Sequence, residues 1–383
     1  MPKYTAFFAV AIAFSFVLVA CGGGGGNGSS DTELGESPVA PDPQPEEPDP
    51  QPGPDPEPIV STVTFEAVSM PTSGLVTLFE ASYAPTGSLF ASTQEGTFGD
   101  GSAGIWRSTD DGSSWTQVFD QNVSFISLLS GDPNWVVAGG DSFYAISSNS
   151  GASWTTGQIK EPIFGTPLRI TAASGHTPGQ GIFLASSSAF NPGLYRSTNQ
   201  GATWQYVFTE DDVVEFGEPR LQHVEVSLTD PRVIYTATGF DTGIWKSVNT
   251  GGEFFSIKTG VAAETFVFTR GIAVNPRDSD QIFIYNNVSI NGGANWSVAG
   301  VSPQDTIWYK NRLIRVKNNA LIVSQDGGAS WSVIAGIEAP RDSGVPSNIW
   351  KSQDSLFFEI STGSAVSASI YRLALSEIEK LMD

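Results

Sequence analysis

The stretch Ser197-Thr-Asn199-Gln-Gly201-Ala-Thr-Trp204 decides the reading of this chain, because five further copies of its pattern punctuate the sequence. Ser108-Thr-Asp110-Asp-Gly112-Ser-Ser-Trp115 and Ser147-Ser-Asn149-Ser-Gly151-Ala-Ser-Trp154 precede it. Ser247-Val-Asn249-Thr-Gly251-Gly-Glu-Phe254, Ser289-Ile-Asn291-Gly-Gly293-Ala-Asn-Trp296 and Ser324-Gln-Asp326-Gly-Gly328-Ala-Ser-Trp331 follow. The shared form is Ser-x-Asp/Asn-x-Gly-x-x-Trp/Phe, with first serines 39, 50, 50, 42 and 35 residues apart. A period of this size marks a repeat architecture.

Each copy lies between two short runs that favour strands. Gly193-Leu-Tyr195-Arg and Gln205-Tyr-Val-Phe208 flank the third, and Gly243-Ile-Trp245-Lys and Phe254-Phe-Ser-Ile257 enclose the fourth. The short Asp/Asn side chain can bond backbone amides in a turn, and glycine accepts a positive φ, so each copy reads as a hairpin. The closing aromatic offers an apolar face that can fold back over the turn. Two more strand-forming runs precede most copies, as in His223-Val-Glu-Val-Ser227 and Val233-Ile-Tyr-Thr-Ala237. Four short strands per repeat of ~40–45 residues are the arithmetic of a propeller blade.

A seventh blade is expected at the C-terminus. Ser369-Ile-Tyr371-Arg372 repeats the form of Gly104-Ile-Trp106-Arg107, but Leu373 stands where the serine belongs and no motif follows. Asn348–Lys351 and Ser355–Ile360 supply its first two strands, and a fourth is missing. The run Ser61-Thr-Val-Thr-Phe-Glu-Ala-Val68 is left over before blade one. Pairing the two closes the ring and removes two exposed sheet edges. The expectation is an all-β, seven-bladed propeller of four-stranded antiparallel blades over residues 59–376, closed by an N-terminal outer strand. A short tail or helix over 377–383 completes the chain.

The six motifs resemble the Asp-box, or BNR repeat, of the sialidase and sortilin-like propellers. In that family the box joins the third and fourth strands of a blade, on the face opposite the ligand site. The resemblance implies a structural role for Asp110, Gly112, Trp115, Asn149, Gly151, Trp154, Asn199, Gly201 and Trp204. The same holds for Asn249, Gly251, Phe254, Asn291, Gly293, Trp296, Asp326, Gly328 and Trp331. Asp110-Asp111 is a doubled carboxylate, yet it lacks the further oxygen ligands of a calcium loop. No metal or cofactor is expected.

The N-terminus carries a second set of signals. Lys3 precedes an uncharged apolar run from Thr5 to Ala20, too short for a permanent span and suited to export. The ending Leu18-Val-Ala-Cys21 resembles a bacterial lipobox, in which the cysteine becomes the lipidated first residue of the mature chain. Residues 1–20 are therefore expected to be a signal peptide and Cys21 a lipid anchor to the membrane. In a Gram-negative host Gly22 favours the outer membrane, facing the periplasm or the outside. Cys21 is the single cysteine, so no intrachain disulfide can stabilise the propeller.

Residues 21–58 read as the lipidated cysteine and a disordered tether. Glycines open it, and ten prolines between Pro38 and Pro58 alternate with acids and glutamines, a composition biased to polyproline II. Those last 21 residues could span roughly 65 Å. The tether holds nine acids and no bases. Of the total of 40 acids and 19 bases, the remainder of the mature chain keeps 31 and 18, a net charge of −13. Nucleic acid is an unsuitable partner for such a surface, because phosphate binding needs a basic footprint.

Propeller ligands usually gather at one mouth of the central channel. The candidate mouth residues are Glu95, Asp100, Arg169, Asp211, Arg220, Asp241 and Arg270, with neighbouring exposed aromatics suited to carbohydrate or peptide. Sialidases, which share the box, clamp a sugar carboxylate with three arginines and carry an early Arg-Ile-Pro. Arg169, Arg220 and Arg270 lie near the starts of inner strands, but this chain has Arg169-Ile170-Thr171 and no Arg-Ile-Pro. Xyloglucan-cleaving relatives use two aspartates between two propellers, and a single propeller lacks that cleft; Asp211 and Asp241 are the nearest candidates for a carboxylate pair. His176 and His223 have no neighbour at zinc spacing, and no serine resembles a nucleophile elbow. The Gly-Ile-Trp-Lys-Ser rhythm also resembles sortilin-type receptors and photosystem assembly factors, which bind proteins or peptides. The expected function is a non-catalytic binding or scaffold module for a protein, peptide or glycan at the cell envelope. The alternative is a glycoside hydrolase acting on extracellular glycans.

Overall fold

In the computed structural model, the residues described are 65–69, 76–81, 87–93, 103–162, 164–188, 192–208, 221–238, 243–257, 271–284, 287–298, 306–317, 320–338, 345–352, 354–361 and 368–382. They form seven antiparallel sheets of four strands each, plus one short helix. The first strands of successive sheets neighbour one another around a closed circuit, from Val76–Ala81 through Ile170–Gly175 and Leu221–Val226 to Val345–Lys351 and back. The chain is a seven-bladed β-propeller.

Blades one to six are each built in chain order from the centre outwards. Blade seven is not. Its first three strands, Val345–Lys351, Ser355–Ser361 and Ala368–Ala374, come from the C-terminal region, and its outer strand is Glu66–Val68. Glu66 pairs with Arg372, Ala67 with Tyr371 and Val68 with Ile370. The closure expected from the leftover strand is therefore present, in its last three residues; residues 61–64 lie outside those described.

The six motifs connect the third and fourth strands of their blades, and all share one hydrogen-bond pattern. The leading serine hydroxyl donates to the Asp/Asn Oδ1 at 2.7–3.0 Å. It accepts the glycine N–H at 2.7–3.0 Å. The same Oδ1 accepts the N–H of the motif's seventh residue at 2.9 Å in every copy. The sequence suggests one left-handed residue per turn, whereas two occur: the fourth residue (Asp111 φ 57°, Gln200 φ 63°) and the glycine after it (Gly112 φ 87°, Gly201 φ 86°). The tight hydrogen-bond set holds a non-glycine residue in a region it otherwise avoids.

The motif aromatics do more than cover their own turns. Each packs into the hydrophobic cluster between its blade and the preceding one. Trp154 meets Phe119 at 5.3 Å, Trp204 meets Tyr144 at 5.1 Å and Phe254 meets Phe208 at 5.1 Å between ring centroids. Trp115, Trp296 and Trp331 join the clusters at the other boundaries. Blade seven has no motif and hence no motif aromatic to offer.

At that boundary the C-terminal helix Leu375–Met382 takes the place. Leu375 and Ile378 are buried in one cluster with Tyr309, Ile314, Leu356 and Phe358, and Leu381 and Met382 pack against it. Phe65 adds an edge-on contact to Phe358 at 5.6 Å. The helix starts two residues ahead of the expected boundary because Leu375 still belongs to the core. Its amphipathic spacing, with Leu375, Ile378 and Met382 on one side, buries the apolar stripe against blades six and seven.

Candidate functional site

The seven first strands enclose a central cavity of about 720 Å³. Its wall follows from strand alternation. In Leu221–Val226 the apolar Leu221, Val224 and Val226 pack between blades, with Val224 and Val226 also bordering the cavity, and Gln222, His223 and Glu225 give it polar lining. Glu80 of blade one, Thr306 of blade six and Asn348 of blade seven add polar groups, and Asn348 donates from Nδ2 to the Glu359 carboxylate.

Arg169 stands at one rim. It precedes the strand Ile170–Gly175, its side chain is mostly exposed, and Nε pairs with Asp141 Oδ1 at 3.1 Å. Its backbone N–H donates to Ser188 Oγ at 2.6 Å, which fixes the connection on which it sits. The rim thus carries an arginine already engaged by a carboxylate from the neighbouring blade. Of the other candidates, Glu95, Asp100, Asp211, Arg220, Asp241 and Arg270 lie outside the described residues, as does Cys21. Arg169 is the one that can be placed.

His223 is held in a defined tautomer. Its Nδ1 accepts the Gly271 N–H at 3.1 Å from the next blade, which leaves the proton on Nε2. Nε2 is shielded from solvent and has no partner among the described residues. Burial pushes the imidazole pKa down from 6.5 to about 4, so the ring is neutral at physiological pH. Gly271 approaches so closely that a Cβ there would lie 2.3 Å from the ring. His223 is a packed wall residue that locks blade four to blade five. His176, by contrast, bonds Gln180 at 2.8 Å on an exposed turn.

At its other end the cavity meets a second one of about 770 Å³, and Leu228, Pro276, Trp308 and Lys351 line both. Asp111 of the first motif borders the second cavity, so that end opens on the motif face. Among the described residues no three His, Cys, Asp or Glu side chains gather as a metal site. Sequence reasoning missed Glu80, Gln222 and Glu225. The signal that could have found them is the polar residue at alternate positions of an innermost strand.

No family model and no curated protein matches the chain. Solved structures do resemble it. YCF48 bound to D1 peptide aligns at 16% identity over 81% of this chain and 96% of that one, with a TM-score of 0.51. A catalytically inactive virginiamycin B lyase from Staphylococcus aureus with quinupristin aligns at 11% identity, 81% and 99% coverage and a TM-score of 0.56. A chain of the mitotic checkpoint complex aligns at 12% identity, 82% and 95% coverage and a TM-score of 0.57. At these identities the likeness is one of fold, and one fold hosts unrelated activities.

Proposed function

We propose that this chain is a non-catalytic binding or scaffold propeller that holds a protein, peptide or glycan ligand at the Arg169 end of its channel. The observation that carries this reading is the cavity itself. Residues from all seven inner strands converge on about 720 Å³ in which apolar strand positions alternate with Glu80, Gln222, Glu225 and Asn348. A concave, largely apolar wall with a few fixed polar groups suits ligand binding. The motif turns spend their polar groups on one another, which supports reading them as Asp boxes with a structural role.

The second part of the proposal concerns location. Lys3, the apolar run to Ala20 and Cys21 support an exported lipoprotein, with residues 22–58 as the spacer and the outer membrane as its site. Loss of membrane fractionation in Cys21→Ala tests this part, and continued association would defeat it.

The binding proposal is tested by incubating the purified chain with glycan and peptide arrays, alongside sialoside and xyloglucan turnover assays. YCF48 is bound to a peptide in its structure, so peptides belong in the first screen. Retention of a ligand class without product supports the proposal. Release of sugar would instead assign the chain to the glycoside hydrolases.

A further inference from the structure

The cavity on the motif face carries a charge that its surroundings do not explain. The chain as a whole has a net charge of −21 and 19 basic residues. Yet five of those bases, Arg277, Lys310, Arg312, Lys351 and Arg372, line this cavity or the adjoining one of about 200 Å³. Among the described residues three carboxylates face them, and two of these are already engaged. Asp111 pairs with Arg372 at 2.8 Å. Glu379 pairs with Lys310 at 2.7 Å and accepts the Tyr309 hydroxyl.

Arg312 joins Arg277 on the wall of the smaller cavity. Arg277 borders both cavities, and its guanidinium has no hydrogen bond or ion pair among the described residues. Lys351 is half-buried, its ammonium 5.8 Å from the centre of the Tyr309 ring, and donates to the Ser352 carbonyl at 3.1 Å. Lys310 approaches the same ring at 5.3 Å. Burial and then repulsion from Arg277 lower the Lys351 pKa, and Asp354 opposes this less strongly. Like charges gathered around one partly buried cavity destabilise the empty protein unless an anion joins them.

We propose that this cavity is a second ligand site, distinct from the Arg169 end of the channel, and that it binds the phosphate group of a small soluble molecule. A phosphate carries up to two charges and three acceptor oxygens, so it can engage Arg277 and Arg312 together. Leu228, Pro276 and Trp308 supply an apolar wall for the organic part of the ligand.

The test is calorimetric titration of the purified full chain with inorganic phosphate at constant ionic strength. Arg277→Gln and Arg232→Gln serve as variants. Arg232 is also an exposed arginine, but its guanidinium is bonded to Asp230 at 2.8 and 2.9 Å. Phosphate should bind the unaltered chain and Arg232→Gln alike, and about tenfold more weakly to Arg277→Gln, the loss expected for one charged hydrogen-bond partner. The melting temperature of Arg277→Gln without phosphate should not fall, because the change is exposed and removes a repulsion. Equal affinity in all three proteins, or no binding, would overturn the site. Co-sedimentation with phosphatidylglycerol vesicles, set against phosphatidylcholine vesicles, separates the sources. Arg277-dependent vesicle binding without a response to free phosphate would assign a lipid headgroup and overturn the soluble ligand.

Discussion

The Tyr144 hydroxyl of blade two donates to the Gly201 carbonyl of the third motif at 2.9 Å, while the Tyr144 ring stands edge-on to Trp204 at 5.1 Å. One side chain thus reads both the turn and the aromatic of the next blade. Because the ring is a closed circuit of such boundaries, weakening one should act on the whole propeller. Tyr144→Phe should cost about 1 kcal/mol, the worth of a buried hydrogen bond whose acceptor is left unpaired. Chemical denaturation with an unchanged slope checks this.

The C-terminal helix makes the equivalent contact at the boundary between blades six and seven. Ile378 is fully buried, so Ile378→Ala should cost about 2–4 kcal/mol, comparable to losing an aliphatic core residue elsewhere. Glu377→Ala, on an adjacent position paired to Lys380 at 2.6 Å, should change stability by less than about 0.5 kcal/mol. Thermal melts of the two variants decide whether the helix is core or appendage.

Gly112 joins the first motif to the closing strand. It has φ 87°, and a Cβ there would lie 2.3 Å from Val68 Cγ1. Gly112→Ala should therefore destabilise by more than about 1 kcal/mol, since strain at positive φ and overpacking add. At Gly165, φ 69° but with open space around it, only the backbone strain remains. A larger drop in melting temperature at 112 than at 165 is the expected result.

Acid should weaken the propeller in two stages. His223 has its pKa depressed to about 4 from 6.5, so the unfolded chain binds its proton first. Its contribution is complete above pH 6.5 and is lost as the pH falls to about 4, on the order of 3 kcal/mol at most. Asp110 and Asp326 are lowered to about 2 from 3.8, chiefly by the hydroxyls of Ser114 and Ser330. Their contribution is present above pH 3.8 and is lost towards pH 2. The other four motifs carry asparagine at that position, a side chain that does not titrate. Asp110→Asn with Asp326→Asn should reduce the loss in the lower window, to which Asp230 and Glu379 also contribute, and His223→Gln should reduce the loss in the upper one, in urea midpoints followed from pH 7 to 2.5.

Much of this architecture is legible in the sequence. Spacing counted the blades, and the unmatched Ser369-Ile-Tyr371-Arg372 found its partner in the run ending at Val68, because both depend on local alternation that a strand writes into its own residues. The Gly271–His223 bond was not legible: the two residues lie 48 positions apart on different blades, beside a register shift between Leu221 and His223. Nor was the helix's role, because Leu375 and Ile378 look like any amphipathic end until the missing motif aromatic of blade seven is noticed. The channel wall escaped for a third reason. Attention to loops passed over Glu80 and Glu225, whose strand positions face the axis.

The binding proposal implies a division of labour: motif aromatics hold neighbouring blades together on one face, and the channel residues are the ones proposed to bind. Trp204→Ala and Glu225→Gln test it when each is measured for melting temperature and for retention of the glycan or peptide selected on the arrays. Trp204→Ala should lose about 2–4 kcal/mol of stability while keeping its ligand below the new melting point, and Glu225→Gln should weaken binding with little change in melting. Selective loss of binding in Trp204→Ala with an unchanged melt would show that the motif aromatics bind rather than brace the blades.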